Sequence, residues 1–315
     1  MPPWLTVLLI AVAAVILFLA ILSYRLFRMA CIARNDFNAE AFFAEVEKKA
    51  GPEMAASVKE AFLANQADPG EAVYIQSDDG LRLKGYYMPA SPETGRVLIM
   101  CHGWNSSPGH DFAMAFPFFK SLGWSILAIE QRAQNSSEGK YMTFGAWEHR
   151  DVCRWIDWLA ARPEVTHIAM DGISMGASTV MLTLGEELPD KVKGAIADSG
   201  YDSVANEIRH LGRCLHLPTG PMLPLMDLWT RALARFSIYE TDTKKAVAKT
   251  RLPLLLVHGT GDTFVPHECT LRNAEVYTGT RNVVLVEGAP HGFSYVMETV
   301  RCQNTLRDFL QSICE

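Results

Sequence analysis

The sequence predicts an α/β protein, a mainly parallel central sheet flanked by helices, with a small helical cap and an N-terminal transmembrane helix. Three observations carry this. From residue 96 onward, short and fully apolar runs, "RVLIMCHG", "SILAIE", "HIAMDG", "VKGAIADS", "PLLLVHG" and "NVVLVEG", alternate with amphipathic stretches. Strands that are apolar at every position are buried on both faces, and crossover helices between them make neighbouring strands parallel. Ahead of that region, Trp4 to Leu22 form nineteen residues in which only Thr6 is polar. Finally, residues 201–250 hold helical material and three prolines (218, 221, 224) but no strand, more than one crossover needs.

Taken in order, the first element is long enough to cross a bilayer at about 1.5 Å per residue. It lacks the early Lys or Arg of a cleaved signal peptide and exceeds the usual length of that apolar stretch. Residues 1–34 therefore read as a retained single-pass anchor with a basic flank, with an uncleaved core helix or a signal peptide as the alternatives. Arg25, Arg28 and Arg34 all follow the span, with Trp4 and Tyr24 at its ends, so the positive-inside rule places the body on the cytoplasmic side. Residues 35–69 read as a helical connector, with Phe42, Phe43, Val46, Met54, Val58 and Phe62 at helical spacing and a break at Gly51 and Pro52. Residues 70–315 are the main domain, with its cap at about 201–250. It opens with a hairpin, "AVYIQS" and "LRLKGYYM" around the turn "DDG". In "FGAWEHRDVCRWIDWLAA", Trp147, Val152, Trp155, Ile156 and Leu159 fall on one helical face.

Composition narrows the function classes. Hydrophobic residues make up 49% and charged residues 20% of the chain, which is globular rather than disordered. The net charge of −6, with Lys and Arg scattered, gives no footprint for nucleic acid. Seven cysteines (31, 101, 153, 214, 269, 302, 314) include no CxxC pair and read as free thiols in a reducing compartment.

The chemistry centres on "DGISMGAST". Gly172 and Gly176 flank Ser174 between the strand "THIAM" and the helical "ASTVMLTLGEEL", the context of a nucleophile elbow. A serine hydroxyl is nearly inert at neutral pH and needs a base, which in turn needs an orienting acid. Asp262 in "LVHGTGDTFVP" and His291 in "VEGAPHGFS" follow successive strands in the order Ser, Asp, His. Glu287 is an alternative acid, set close to His291 on the same loop. The loop "CHGWNSS" and the residue after the nucleophile supply candidate oxyanion donors, the backbone N–H groups of Trp104 and Met175. His102 is read as a structural or pocket residue. Met222, Met226 and Trp229 of the cap are read as an acyl or aromatic pocket, or as packing. His258 and His267 flank Asp262, but without HExxH or paired-cysteine spacing no metal site is expected, and no cofactor is needed.

On "CHGWNSS", "GISMGA", "HGTGDTFVP" and "GAPHGF", the chain from about residue 70 to 313 resembles the α/β-hydrolase superfamily. It looks most like small-cap, membrane-anchored bacterial hydrolases of the lysophospholipase-like and serine-aminopeptidase-like branch. The resemblance implies that Ser174 attacks, His291 shuttles the proton and Asp262 fixes the imidazole. One loop departs: "EQRAQNSS" stands where such relatives carry Asp-x-Arg-Gly-His-Gly, leaving Arg132 and Ser136 or Ser137, and it is expected to border the pocket. The expected activity is hydrolysis of a small-molecule carboxylic ester or acyl substrate. A peptidase or thioesterase with the same triad and a silent, binding-only hydrolase fold are the alternatives. Oligomeric state is not legible.

Overall fold

In a computed structural model, residues 1–34 and 38–315 are described. The first three residues of the expected connector, 35–37, lie outside them. Among the described residues, three helices precede the sheet: α1 (Pro3–Cys31), α2 (Ala39–Ala50) and α3 (Pro52–Ala67). Gly51, at φ 89°, makes the sharp break between the last two. The hairpin β1 (Glu71–Gln76) and β2 (Arg82–Met88) follows, closed through Gly80 at φ 88°. Then come β3 (Arg96–Cys101), α4 (Pro108–Asp111), α5 (Ala115–Ser121), β4 (Trp124–Ile129), α6 (Glu148–Ala160), β5 (His167–Ile173), α7 (Met175–Thr183) and β6 (Val192–Asp198). The cap interval holds α8 (Val204–Cys214), α9 (Thr219–Trp229), a π-helical turn (Thr230–Ala234) and α10 (Thr243–Val247). The chain ends with β7 (Leu254–Gly259), α11 (Glu268–Val276), β8 (Arg281–Val286), α12 (Ser294–Met297) and α13 (Thr299–Ser312).

Among the described residues, eight strands form one sheet in the order β1-β2-β4-β3-β5-β6-β7-β8. The β1–β2 and β2–β4 pairs are antiparallel and all others parallel. After β3 the chain moves to one side to form β4, then returns to the other to form β5. This leaves a crevice beyond the carboxyl ends of β3 and β5, where open α/β sheets gather their chemistry.

The sheet is buried on both faces, as its apolar strands require. On one face Val152, Trp155, Ile156 and Leu159 of α6 pack with Val180 and Met181 of α7. On the other, Phe116 and Phe119 of α5 meet Leu306, Phe309 and Leu310 of α13. Trp147 departs from the face expected for it. The buried Glu148 carboxylate accepts from Thr143 and Gly145 N–H groups and so starts α6 one residue later. That leaves Trp147 outside the helix, where its indole donates to the Arg235 carbonyl and packs in a separate cluster near the cap.

Helix α1 is two structures in one. It is long and apolar enough to cross a membrane, and its most apolar window, of mean hydropathy 3.2, is wholly unburied. Its last turns are different: Ser23, Phe27 and Cys31 are buried against the cap. Tyr24, expected at a lipid interface, packs on Trp229 with ring centroids 5.1 Å apart. The connector also serves as more than a spacer, because Val46 of α2 and Ala55 and Val58 of α3 pack on Phe293, two residues past His291.

Candidate active site

Ser174 occupies the turn between β5 and α7 with φ 57° and ψ −115°, a backbone state rare for any residue but glycine. Small neighbours make that turn possible. A Cβ on Gly176 would lie 1.8 Å from the Cys101 carbonyl oxygen, and one on Gly172 would lie 2.3 Å from that of Gly176. Cys101 and Gly172 are register partners in the β3–β5 pair, so the turn is pressed against the end of β3. The Ser174 N–H donates to the Asp198 carbonyl at 2.8 Å, tying the elbow to β6.

Asp262 and His291 come from the loops after β7 and β8, and the structure brings both to Ser174. His291 Nε2 lies 2.8 Å from Ser174 Oγ, and His291 Nδ1 lies 2.6 Å from Asp262 Oδ2. With a carboxylate facing Nδ1, that nitrogen carries the proton and Nε2 is free to accept from the hydroxyl. Burial pushes the Asp262 carboxyl up, but hydrogen bonds from His258, His291 and the Val265 N–H outweigh it and hold it at about 2. Glu287 has no place in this line.

His258, considered at first beside a metal, is the second holder of Asp262. Its Nε2 donates towards Asp262 Oδ2 at 3.2 Å and the Val265 carbonyl at 2.9 Å, while Nδ1 accepts from Thr270 at 2.7 Å. Both ring nitrogens are thereby used inside the protein. His267 instead faces the neighbouring Glu268 at 3.7 Å.

The loop after β3 lies beside the serine, with the position of a Gly103 Cβ only 3.4 Å from Ser174 Cβ. Among the described residues, the Trp104 and Met175 backbone N–H groups donate to nothing. Asp111, which sequence reasoning missed, fixes this loop. It is partly buried, and its carboxylate accepts from the Gly103 N–H at 2.7 Å and from Ser106 at 2.6 Å. Burial pushes it up, and His110 with these donors brings it down to about 2.

His102 is no pocket residue. It is fully buried, with Nδ1 donating to the Gly103 carbonyl and Nε2 accepting from the Gln131 N–H at 3.1 Å. Burial pushes it below the usual imidazole range, which suits that neutral role. Gln131 belongs to the departing loop "EQRAQNSS", and its side chain also donates to the His102 carbonyl. That loop does not border Ser174, contrary to expectation. Arg132 is turned away into a paired contact with Asp151 and a second with Asp79, and Glu130, Gln134 and Asn135 line a separate cavity near Phe62.

Two cavities meet at Ser174. The first, about 340 Å³, is lined by His291, Phe293, Asp111, Asp198 and, from the connector helices, Phe42 and Val58. The second, about 370 Å³, is nearly all apolar and runs under the cap past Met222 and Met226 to Leu26, Met29 and Ala30 of α1. Met222 and Met226 thus lie where the pocket reading put them. Trp229 does not line this cavity. Its indole donates to Ser23 Oγ at 3.0 Å and clamps α1 to the cap.

A protein-family model described as X-Pro dipeptidyl-peptidase (S15 family) matches residues 74–236. This chain belongs to that family, and through it to the α/β-hydrolase superfamily. The matched span contains Ser174 and stops before Asp262 and His291. Among curated proteins, the uncharacterized YqkD of Bacillus subtilis is 26% identical over 246 residues, 77% of this chain and 79% of its own length. The bifunctional esterase/perhydrolase DCH of Acinetobacter calcoaceticus is 22% identical, covering 76% of this chain and 99% of its own. Among solved structures, the Pyrococcus furiosus esterase Pf2001 superposes with TM-score 0.62 at 24% identity, over 77% of this chain and 90% of that one. Est1E of Butyrivibrio proteoclasticus, solved with ferulic acid, gives 0.61 at 25%, over 77% and 99%. The protein is a serine hydrolase of the α/β fold.

Proposed function

We propose that the protein cleaves a carboxylic ester through an acyl-enzyme at Ser174, and that α1 anchors it in a membrane with its body on the cytoplasmic side. The observation that carries the ester reading is the unbroken line Asp262–His291–Ser174 beside two unpaired backbone N–H groups. Ser174 Oγ attacks the acyl carbon as His291 Nε2 takes its proton. The Trp104 and Met175 N–H groups receive the developing oxyanion, each donor being worth about a hundredfold or more in rate. The imidazolium, stabilised by Asp262, protonates the departing alcohol, then activates water to release the acid. The departing oxygen must lie within reach of His291, so the leaving group occupies the cavity that His291 lines. The acyl chain then runs the other way, past Met175 into the apolar cavity.

The family description favours one second reading, a peptidase using the same residues. Retention of α1 is supported by its docked end. Cutting it away would strip Trp104 Nε1 of the Ala30 carbonyl at 2.7 Å, Trp229 of Ser23, and the Met142 N–H of the Cys31 carbonyl.

A fluorophosphonate probe tests the reaction. Ser174 is expected to be labelled in the folded full-length protein, and labelling to vanish in Ser174→Ala; an unlabelled Ser174 sinks the hydrolase reading. Turnover of p-nitrophenyl esters against aminoacyl amides separates ester from peptide cleavage. Protease protection of the body in sealed vesicles tests the membrane side.

A further inference from the structure

The apolar cavity under the cap reaches the surface, and the residues where it does so are apolar too. Of its lining, Leu215, in the turn after α8, is 61% exposed, Met29 of α1 is 42% exposed and Leu26 of α1 is half-buried. Large apolar side chains grouped at the mouth of an apolar cavity are costly to leave in water and mark a surface that something apolar covers. Their place on α1 says what that is. The helix is exposed from Thr6 to Phe18, within the stretch long and apolar enough to cross a membrane. Leu26 and Met29 stand about one and two turns past Leu22, where the apolar run ends, on the same unbroken helix. The bond from Trp229 Nε1 to Ser23 and the Tyr24 ring against Trp229 hold the cap to α1 at that level. Leu228, the residue before Trp229, is itself 57% exposed. Glu207, in the lining, does not interrupt the apolar passage. Both its carboxyl oxygens are buried, and burial, with the charges of Asp262 and Asp202, pushes the group up to about 8, so it is uncharged at neutral pH.

We propose that the turn between α8 and α9 rests in the bilayer beside α1 and that the acyl cavity opens into the lipid there, so that the enzyme draws long-chain acyl esters of uncharged alcohols from its own membrane. This rests on the ester and anchor readings above. The alcohol end leads through the cavity towards Ser174 and the His291 side, while the acyl chain trails back past Leu26 and Met29 to the mouth. The chain then exchanges one apolar surrounding for another and meets no water on the way. The leading group is selected by the same walls: a charged headgroup would have to shed its water in a passage with almost nothing polar to replace it, whereas a neutral alcohol loses far less. After hydrolysis the alcohol leaves on the His291 side and the acid backs out into the lipid.

The test uses the full-length protein in phosphatidylcholine vesicles. Cys214 lines the cavity and is exposed, so Cys153→Ser and Cys314→Ser leave it as the one thiol open to a fluorophore, the remaining cysteines being buried. Doxyl-labelled lipid is expected to quench that label by about half or more. It is expected to spare a label at Glu164→Cys, at the amino ends of the strands, in the same chain carrying Cys214→Ser. An unquenched Cys214 label on a chain that resists carbonate extraction overturns the proposal and leaves the anchor standing, whereas extraction by carbonate overturns both. The route is read with long-chain esters too insoluble to pass between vesicles, placed in the enzyme's own vesicles or in separate ones. The dimethylbutyl ester is expected to turn over about tenfold faster or more from the enzyme's own vesicles. There it should also exceed by about tenfold the choline ester of the same acid, which has the same shape but a charged leading group. Equal turnover from the two placements, a choline ester cleaved as fast as its neutral counterpart, or a long-chain ester left intact while acetyl esters are cleaved each overturns the proposal. If Ser174 takes no fluorophosphonate and acetyl esters survive as well, the hydrolase reading fails, and quenching alone judges where the cavity opens.

Discussion

The two cavities that meet at Ser174 are built to different rules. The one on the His291 side is crossed by ionisable groups, Asp111, Asp171, Asp198 and His291, and its outer wall comes from the connector helices. The one on the Met175 side is almost wholly apolar, with aromatic as well as aliphatic and sulfur-bearing side chains and Glu207 of α8 in its lining, and its walls come chiefly from the cap and the docked end of α1. The strand ends supply what both share, and the helices outside the sheet supply the walls in which they differ. On the proposed reading, reactivity and selection are expected to separate under mutation.

The largest effect should ignore the difference between the cavities. Asp262→Asn leaves the imidazole without its orienting carboxylate, and kcat is expected to fall by about 10³–10⁴ for every ester alike. A loss that depends on acyl length would mean Asp262 acts through one cavity rather than through His291. Next come two substitutions that should split them. Met222→Trp, filling the aliphatic side, is expected to lower kcat/KM for long acyl chains about tenfold or more while sparing acetyl esters. Val58→Trp, filling the other, is expected to discriminate between leaving groups and not between acyl chains. The reverse pattern in a matrix of p-nitrophenyl and alkyl esters would invert the assignment of the two sides.

A smaller effect is expected of Trp104→Phe, which keeps a ring but deletes the bond to Ala30. Rates should drop about two- to fivefold on all substrates through loosening of the oxyanion loop, with melting temperature nearly unchanged. The smallest concerns stability. An unfolded Glu207 ionises near 4.5, whereas the folded one holds its proton to about 8. Between those values the unfolded chain alone releases the proton, so folding stability from this group falls as pH rises and levels off above 8. Glu207→Gln removes that slope. Its melting temperature should exceed wild type by several degrees, roughly, at pH 8.5 and by less at pH 4.5. Equal differences at both pH values would show the carboxyl to be ionised when folded.

Much of this was legible in the residues. All eight strands announce themselves as local patterns, and Ser174, Asp262 and His291 sit within a few residues of strand ends, so short-range signals suffice. Both elbow glycines are readable because a steric need is local. What stayed hidden depends on distance along the chain. Trp104 meets Ala30 across 74 positions and Trp229 meets Ser23 across 206, with nothing nearby to mark either pair. Asp111 looks like one more acidic loop residue until its carboxylate is seen holding the Gly103 N–H. Glu207 reads as the solvent side of an amphipathic helix, and only the three-dimensional closure of the cap reveals that both of its carboxyl oxygens are buried. Trp229 and His102 have aromatic rings that suit a pocket as well as a clamp, and their partners alone decide between the two.

The contact between the Trp104 indole and Ala30 ties the long apolar helix α1 to the loop that would receive the oxyanion. A soluble fragment begun after residue 34 would leave Trp229, Tyr141 and the rim of the aliphatic cavity newly wetted, and its oxyanion loop untethered. Chain-length preferences measured on such a fragment would describe a cavity with one side missing. In this molecule the tether is also part of the vessel.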